Sequence, residues 1–437
     1  MKKLYTLLHE PVNNASLTVF RIAFGLLLAA EGFGAIMTGW VKNVYIDTQF
    51  NFQFFGFEWL DIFHGYPMYG VFVGLGISGL AIALGYRYRI AMLAYAMLWS
   101  ITYLGQKMSY NNHYYLMFLL CWFAVFIPMH ARYSLDVKYG RVKEVGQLPF
   151  YLNYFFVFMF AVVYLYASVN KIYPDWLSGR YIKGSMQNKF LMTIPLLRSF
   201  TTKSWYLMLV SYSAIVYDGL VIPALLWKKT RKVAIFFSFV FHLYNSVVYQ
   251  VGIFPYMSLS ILLFFVSHAF LERMIGEVQN DTDTLERKPK LSLSYYAFVG
   301  ILLFHLLMPL RHRFIEGNVF YTEEGHRCSW RMMLRNKSGS CRITVKRADG
   351  TIERLKLTDL THKQKRLLYK LPDVLYAYIQ KVKEKYPDED VQIFADVRVG
   401  LNGRKRKGLV DKDRDLSKVS WSYFQHNDWV NSYGFEE

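Results

Sequence analysis

The sequence predicts a mostly α fold: a polytopic membrane helical bundle of about nine spans, followed by a small C-terminal α+β extramembrane domain. Three observations predict it. The 437 residues are 54% hydrophobic and 18% aromatic, with a mean hydropathy of +0.15, which is too apolar for an ordinary soluble domain. Apolar windows long enough to cross a bilayer recur through residues 1–309. From Arg311 onward the pattern changes to short alternating strands, turns and charged helix. The boundary is therefore placed between a transmembrane domain at 1–309 and an extramembrane domain at 310–437.

The windows begin near Ser16, Tyr66, Ile90, His113, Leu152, Leu207, Val233, Pro255 and Ser292, each about 17–25 residues, the length that spans hydrocarbon. The first carries Glu31 and lacks a small-residue cleavage site, so it reads as a retained span rather than a removed signal. The net charge of +19 would suggest nucleic acid in a soluble chain. Here the basic residues fall in short loops beside spans, which favours membrane topology over nucleic-acid binding. Arg87 and Arg89, then Arg132, Lys138, Arg141 and Lys143, then Lys228, Lys229, Arg231 and Lys232, and then Arg287, Lys288 and Lys290 mark alternate loops as cytoplasmic. The intervening loops at 41–65, 105–112, 172–205 and after Tyr249 face outward. With an odd number of spans, the N-terminus lies inside and the C-terminal domain outside.

The connection at 172–205 is longer than most loops in compact domains, which points to a function, and it is expected to cover the outer face. A polar linker is expected over 271–291. In the tail, SCRITVKRADGTIERLKL alternates around Asp349-Gly350 and reads as a β-hairpin. Residues 361–385 read as a basic amphipathic helix interrupted at Pro372, and VQIFADVRVGL as a further strand. Of the three cysteines, only Cys328 and Cys341 are placed to meet, and free thiols are expected. The sequence has no C-x-x-C, metal-spaced His/Cys cluster, phosphate-cradling glycine loop or nucleophile elbow, so no metal site is expected, and neither metal hydrolysis nor nucleotide chemistry is favoured.

Lys171 stands at the end of the apolar stretch 152–169, directly before the polar run IYPDW. Burial near hydrocarbon disfavours an ammonium ion, so an amine there is a candidate base. The competing reading is a snorkelling lysine whose amine reaches the headgroups. His113, in NNHYYL, stands at an outer span edge, where an aromatic-belt role competes. His242 and Asn245 are three residues apart on one helix face, near mid-membrane, and either face a pocket or satisfy an interhelical hydrogen bond. Arg21 and Glu31 share a face of the first span and read as structural ion-pair formers, with Asp218 as a possible partner or a packing group. The basic turn 404–407 reads as a solvated hairpin end, with attraction of an acidic substrate as the alternative. Trp330 reads as an anchor against the membrane domain.

Four segments then carry a family likeness: NNHYYL, VYLYASVNKIYPDWLSG, FHLYNSVVYQVGIFPYMSLS and NVFYTEEGHRCSWRMMLRNKSGSCRI. In this order, between about Ser16 and Ile343, they resemble the vitamin K-dependent gamma-glutamyl carboxylase family, whose membrane part is also called the horizontally transferred transmembrane (HTTM) domain. The resemblance implies that Lys171 deprotonates reduced vitamin K. Oxygen then adds, and collapse to the epoxide generates an alkoxide that removes a glutamate γ-proton, after which carbon dioxide is captured. It also implies that the family histidines match His113, His242 and His312, orienting the quinol or Lys171, with Asn112 and Asn245 as supporting donors. Aromatic walls would keep water from the carbanion. Animal members usually carry two successive lysines at this motif, whereas here the first position is Asn170. His326-Arg327-Cys328 replaces an aromatic stretch, and the long extramembrane region of the animal enzymes is largely missing.

The expected cofactor is thus reduced vitamin K, with oxygen and carbon dioxide as co-substrates, and the expected partners are the bilayer, a quinone and a glutamate-containing peptide or protein. Two other readings stand beside this one: a quinol epoxidase or monooxygenase without carboxylation, which the shortened tail favours, and a non-catalytic quinone or lipid binder. A bacterial inner membrane is the expected location.

Overall fold

The computed structural model describes residues 2–186, 195–201, 203–249, 251–278, 293–387 and 390–433. Helix occupies each expected window, but the count of nine spans is not met. Among the described residues five helices are long and apolar enough to cross a membrane: Ala15–Met37, Pro67–Leu84, Ser204–Leu226, Arg231–Tyr249 and Tyr295–Phe314. A sixth is added if the pair Phe254–Phe265 and His268–Ile275, bent by 105°, is one span. The shortfall has local causes. The helix of the His113 window, Asn112–Ala124, has 13 residues, and Phe155–Val169 has 15. Tyr88–Gly105 has 18 residues, but Arg89, Ser100 and its tyrosines lower its hydropathy. The linker expected over 271–291 starts as the helix His268–Ile275, and residues 279–292 lie outside the described residues.

Close helix packing begins with small residues. Ala15–Met37 lies against Pro67–Leu84 with glycines on both sides of the contact: a Cβ on Gly32 would stand 2.5 Å from the Gly76 nitrogen, and one on Gly25 or Gly79 would collide with the backbone opposite. In lipid, where apolar surface alone gives no preference for a neighbouring helix, such close backbone approach drives association. Arg21 does not pair with Glu31 or Asp218. Its guanidinium donates to the carbonyls of Met129, Arg132 and Tyr133 at 3.3, 3.2 and 2.7 Å, capping the turn that follows the Asn112–Ala124 helix, while Glu31 hydrogen-bonds Tyr114.

The two ends of the bundle are distinct. At one end, strands β1 (Pro11–Asn13) and β2 (Gln147–Pro149) pair antiparallel, and Glu272 accepts from Asn13 at 2.7 Å and meets Arg132 at 3.3 Å. At the other end the C-terminal domain sits on the loops predicted to face outward together. Gln364 donates to the Phe50 carbonyl at 3.2 Å, Lys107 to the Asp373 carbonyl at 3.1 Å, and Arg404 grips Asp175 at 2.5 and 2.8 Å. Arg404 is thus not a solvated hairpin end. It locks the tail onto the segment that follows Lys171.

The C-terminal domain is a four-stranded antiparallel sheet, ordered β4-β3-β5-β6, with β3 Lys337–Lys346, β4 Ile352–Arg354, β5 Gln392–Leu401 and β6 Lys407–Gly408. The expected hairpin is β3–β4, closed by Arg347 N–H to Thr351 O at 2.9 Å, with Asp349 accepting from Thr351 N–H at 2.8 Å. The predicted helix is two, His362–Leu368 and Pro372–Lys383, because Pro372 cannot continue the first but starts the second well. A capping box, Thr361 with Gln364, opens the first. Ile343, Val345, Ile393, Ala395 and Val397 on one sheet face and Leu375, Ile379 and Val382 on the second helix form one buried core. Cys328 and Cys341 are unbridged.

Candidate functional site

The apolar helix Phe155–Val169 stops where Asn170 caps it, and Pro174 two residues beyond Ile172 prevents its continuation. The chain turns, and Trp176 comes to lie against Lys171, its ring 5.4 Å from Nζ. Trp176 in turn donates to the Ser211 carbonyl at 2.9 Å, which fixes the turn on the helix Ser204–Leu226. Lys171 does not snorkel. It is 7% exposed, and Nζ donates to the Ala167 carbonyl at 2.9 Å and to Asp218 Oδ2 at 2.5 Å. Gly219 permits the close approach of these two helices, since a Cβ there would meet Ser168 Oγ at 3.0 Å. The amine predicted from sequence as a lone neutral base therefore has a buried carboxylate partner 47 residues away in sequence.

A cavity of about 700 Å³ opens beside this pair, walled by Ser204–Leu226 and Arg231–Tyr244. Lys171, Asp218, His113, His242 and Asn245 line it, together with Tyr164, Trp176 and Tyr217. Tyr164 lines the cavity together with Lys171, and the Tyr164 hydroxyl contacts His242 Nε2 at 2.8 Å. His113 stacks on Phe254 with ring centroids 4.1 Å apart, and His242 meets the same ring edge-on. The Nδ1 atoms of both histidines are buried with no hydrogen-bond partner among the described residues. Asn245 opens a π-helical turn, Asn245–Tyr249, and such turns concentrate at functional sites.

Asn112 and His312 are not on the cavity wall. Asn112 accepts from the Tyr110 hydroxyl at 3.1 Å and donates to the Arg331 carbonyl at 3.2 Å. His312 Nε2 faces Arg331 Nη1 at 3.3 Å, so it accepts, and Nδ1 donates to the Pro309 carbonyl at 2.8 Å. Both residues hold the segment that roofs the cavity with Met332 and Met333. Asn170 holds it too, donating to the Ser329 carbonyl at 3.1 Å and accepting from Arg331 at 3.4 Å. Cys328, Trp330 and Met333 all adopt positive φ, at 61, 53 and 52°, a conformation that non-glycine residues keep only where the surroundings enforce it. Trp330 is the anchor expected from sequence, 1% exposed between Tyr115 and His305. In the same segment, Arg327 donates to Asp373 of the C-terminal domain at 2.9 and 3.2 Å.

Residues 9–270 match the family model described as the HTTM domain, and residues 290–435 match the lumenal domain of vitamin K-dependent gamma-carboxylase. The chain belongs to the vitamin K-dependent gamma-carboxylase family. No solved structure matches it at a significant level. Family membership and the apolar helices together make it a multi-pass membrane protein with a carboxylase-like function. Asp218 and Tyr164 are the site residues that sequence reasoning missed. A carboxylate within an apolar span was the available signal, because such a group needs a partner of opposite charge. Nothing in the spacing said that the partner was Lys171.

Proposed function

We propose that the cavity binds a reduced vitamin K-type quinol and that Lys171 takes part in deprotonating it. The observation that carries this reading is the juxtaposition of a buried amine, two imidazoles and an apolar space of about 700 Å³, a size typical of small-molecule sites. The imidazoles of His113 and His242 line that space, and Asn245 supplies a further amide. With oxygen, the bound quinol supplies the strong base that removes a glutamate γ-proton before carbon dioxide adds. The chain's own groups do the rest. Tyr164 orients His242, Trp176 closes the space beneath Lys171, and Met332 and Met333 keep water from the cavity. The C-terminal domain, joined to the outward loops, stands on the side from which a peptide substrate would approach, which we assign to the non-cytoplasmic face. A bacterial inner membrane is the proposed location.

Epoxidation without carboxylation is the second reading. It is favoured by Arg404, which is committed to Asp175 and so is not free to receive an acidic substrate. Purified protein in detergent, given reduced vitamin K, bicarbonate and a glutamate-containing peptide, separates the two. Epoxide and fixed carbon from the wild type, both lost in Lys171→Ala, are expected for the first. Epoxide without fixed carbon selects the second, and neither product from a folded wild type overturns both.

A further inference from the structure

A lysine ammonium has three N–H bonds and no lone pair. Lys171 Nζ commits one of them to the Ala167 carbonyl at 2.9 Å and another to Asp218 Oδ2 at 2.5 Å, which leaves one for the cavity that both side chains line. As an ammonium it accepts no proton from a bound hydroxyl unless it first releases one. As a neutral amine beside an ionised Asp218 it would leave a buried carboxylate without a counter-charge, an arrangement that burial strongly disfavours. The Ala167 carbonyl is too weak a base to take the released proton. Asp175, the nearest carboxylate in sequence, is already occupied by Arg404 and by Asn402 at 2.7 Å. Asp218 is in direct contact and is 6% exposed.

We propose that Asp218 is the net proton acceptor of the site and that Lys171 is the relay; this rests on the reading of the cavity as a quinol site. The step balances without any change of oxidation state. A ligand O–H bond breaks as an N–H bond forms at Nζ, and an N–H bond of Nζ breaks as an O–H bond forms at Asp218 Oδ2. The site begins as ammonium and carboxylate. It ends as ammonium and carboxylic acid beside a deprotonated ligand hydroxyl, so the net charge is unchanged. Lys171 begins and ends the step as an ammonium, and its partner changes from the carboxylate to the ligand oxygen.

The test uses the full-length protein in detergent without oxygen, so that no turnover contributes. Reduced vitamin K is added, the deprotonated fraction of bound quinol is read by ultraviolet absorption, and carboxyl protonation is read by infrared difference spectroscopy. In the wild type, quinol binding is expected to produce a protonated-carboxyl band together with the anion spectrum. Asp218→Asn is expected to bind quinol but lose the band and about 10-fold or more of the anion signal. Asp218→Glu is expected to keep the anion and move the band. Asp218→Asn that still deprotonates bound quinol like the wild type overturns the relay, because Lys171 would then suffice alone. If Asp218→Asn does not fold, Asp218→Glu decides: an unmoved band overturns the assignment. A wild type that forms epoxide in air but shows no carboxyl band sinks the relay and spares the quinol reading, whereas a wild type that binds no quinol sinks both.

Discussion

Asn170 Nδ2 donates to the Ser329 carbonyl at 3.1 Å, tying the residue that precedes the candidate base to the strained segment crossing its cavity. The side chain is buried and also accepts from Arg331. One amide thus joins the end of a membrane helix to the extramembrane domain, and it occupies the position where animal relatives usually have a lysine.

Asn170→Ala leaves the Ser329 carbonyl and the Arg331 guanidinium short of a buried partner, at a cost of about 1–3 kcal/mol. The cost is expected to appear as a looser roof. Amide hydrogen exchange over 326–334 should rise while the rest of the C-terminal domain is unchanged. Equal protection in the variant and the wild type would show that Asn170 is not the tie.

His242 and Tyr164 are expected to act as a unit. A cycle of His242→Phe, Tyr164→Phe and the double variant should give a coupling of about 1 kcal/mol in quinol affinity, measured by titration of the reduced quinone. Strictly additive losses would mean that the 2.8 Å contact between them does not orient the imidazole.

Glu323 supplies the pH-dependent prediction. Burial by itself would raise its carboxyl, but Arg335 and Lys337 outweigh burial and hold it below its ordinary 4.5. Lys337 Nζ stands 2.8 Å away, and Arg335 forks onto both carboxyl oxygens. A folded value below the unfolded one means that the stabilisation is fully present above pH 4.5 and is lost as pH falls through the folded value. Glu323→Gln should therefore cost about 3–5 kcal/mol near neutrality, as expected for breaking a buried pair. The difference from the wild type in denaturant unfolding should shrink below pH 4.5. A difference independent of pH would assign the loss to packing rather than charge.

Gly25→Leu places a side chain where the Ala83 backbone already stands. The helices Ala15–Met37 and Pro67–Leu84 must then separate, with a loss of at least about 1–3 kcal/mol for overpacking, seen as a lower melting temperature in detergent. Gly34→Leu, with open space around the Cβ position, should melt no lower than the wild type, since leucine is the better helix former, and an equal loss in both would show that the close contact at Gly25 is not the cause.

The family, the membrane class, the β-hairpin and Lys171 as a candidate base were legible in the chain because each rests on local pattern: run length, period, turn residues or a contiguous motif. The cavity lining of His113, His242 and Asn245 was foreseen in part by the same means, through a three-residue spacing and helix depth. What tertiary structure alone decided is which groups meet. The helix Ser204–Leu226 is apolar almost all round, so no stripe marks the face that carries Asp218 toward a neighbour. Its rotation and depth are set by packing, including the close approach at Gly219, and that packing delivers Asp218 to Lys171. Asn112 and His312 moved from the expected ligand shell to the roof for the same reason: their partner, Arg331, is far from Asn112 in sequence, and only the docking of the C-terminal domain brings the three together.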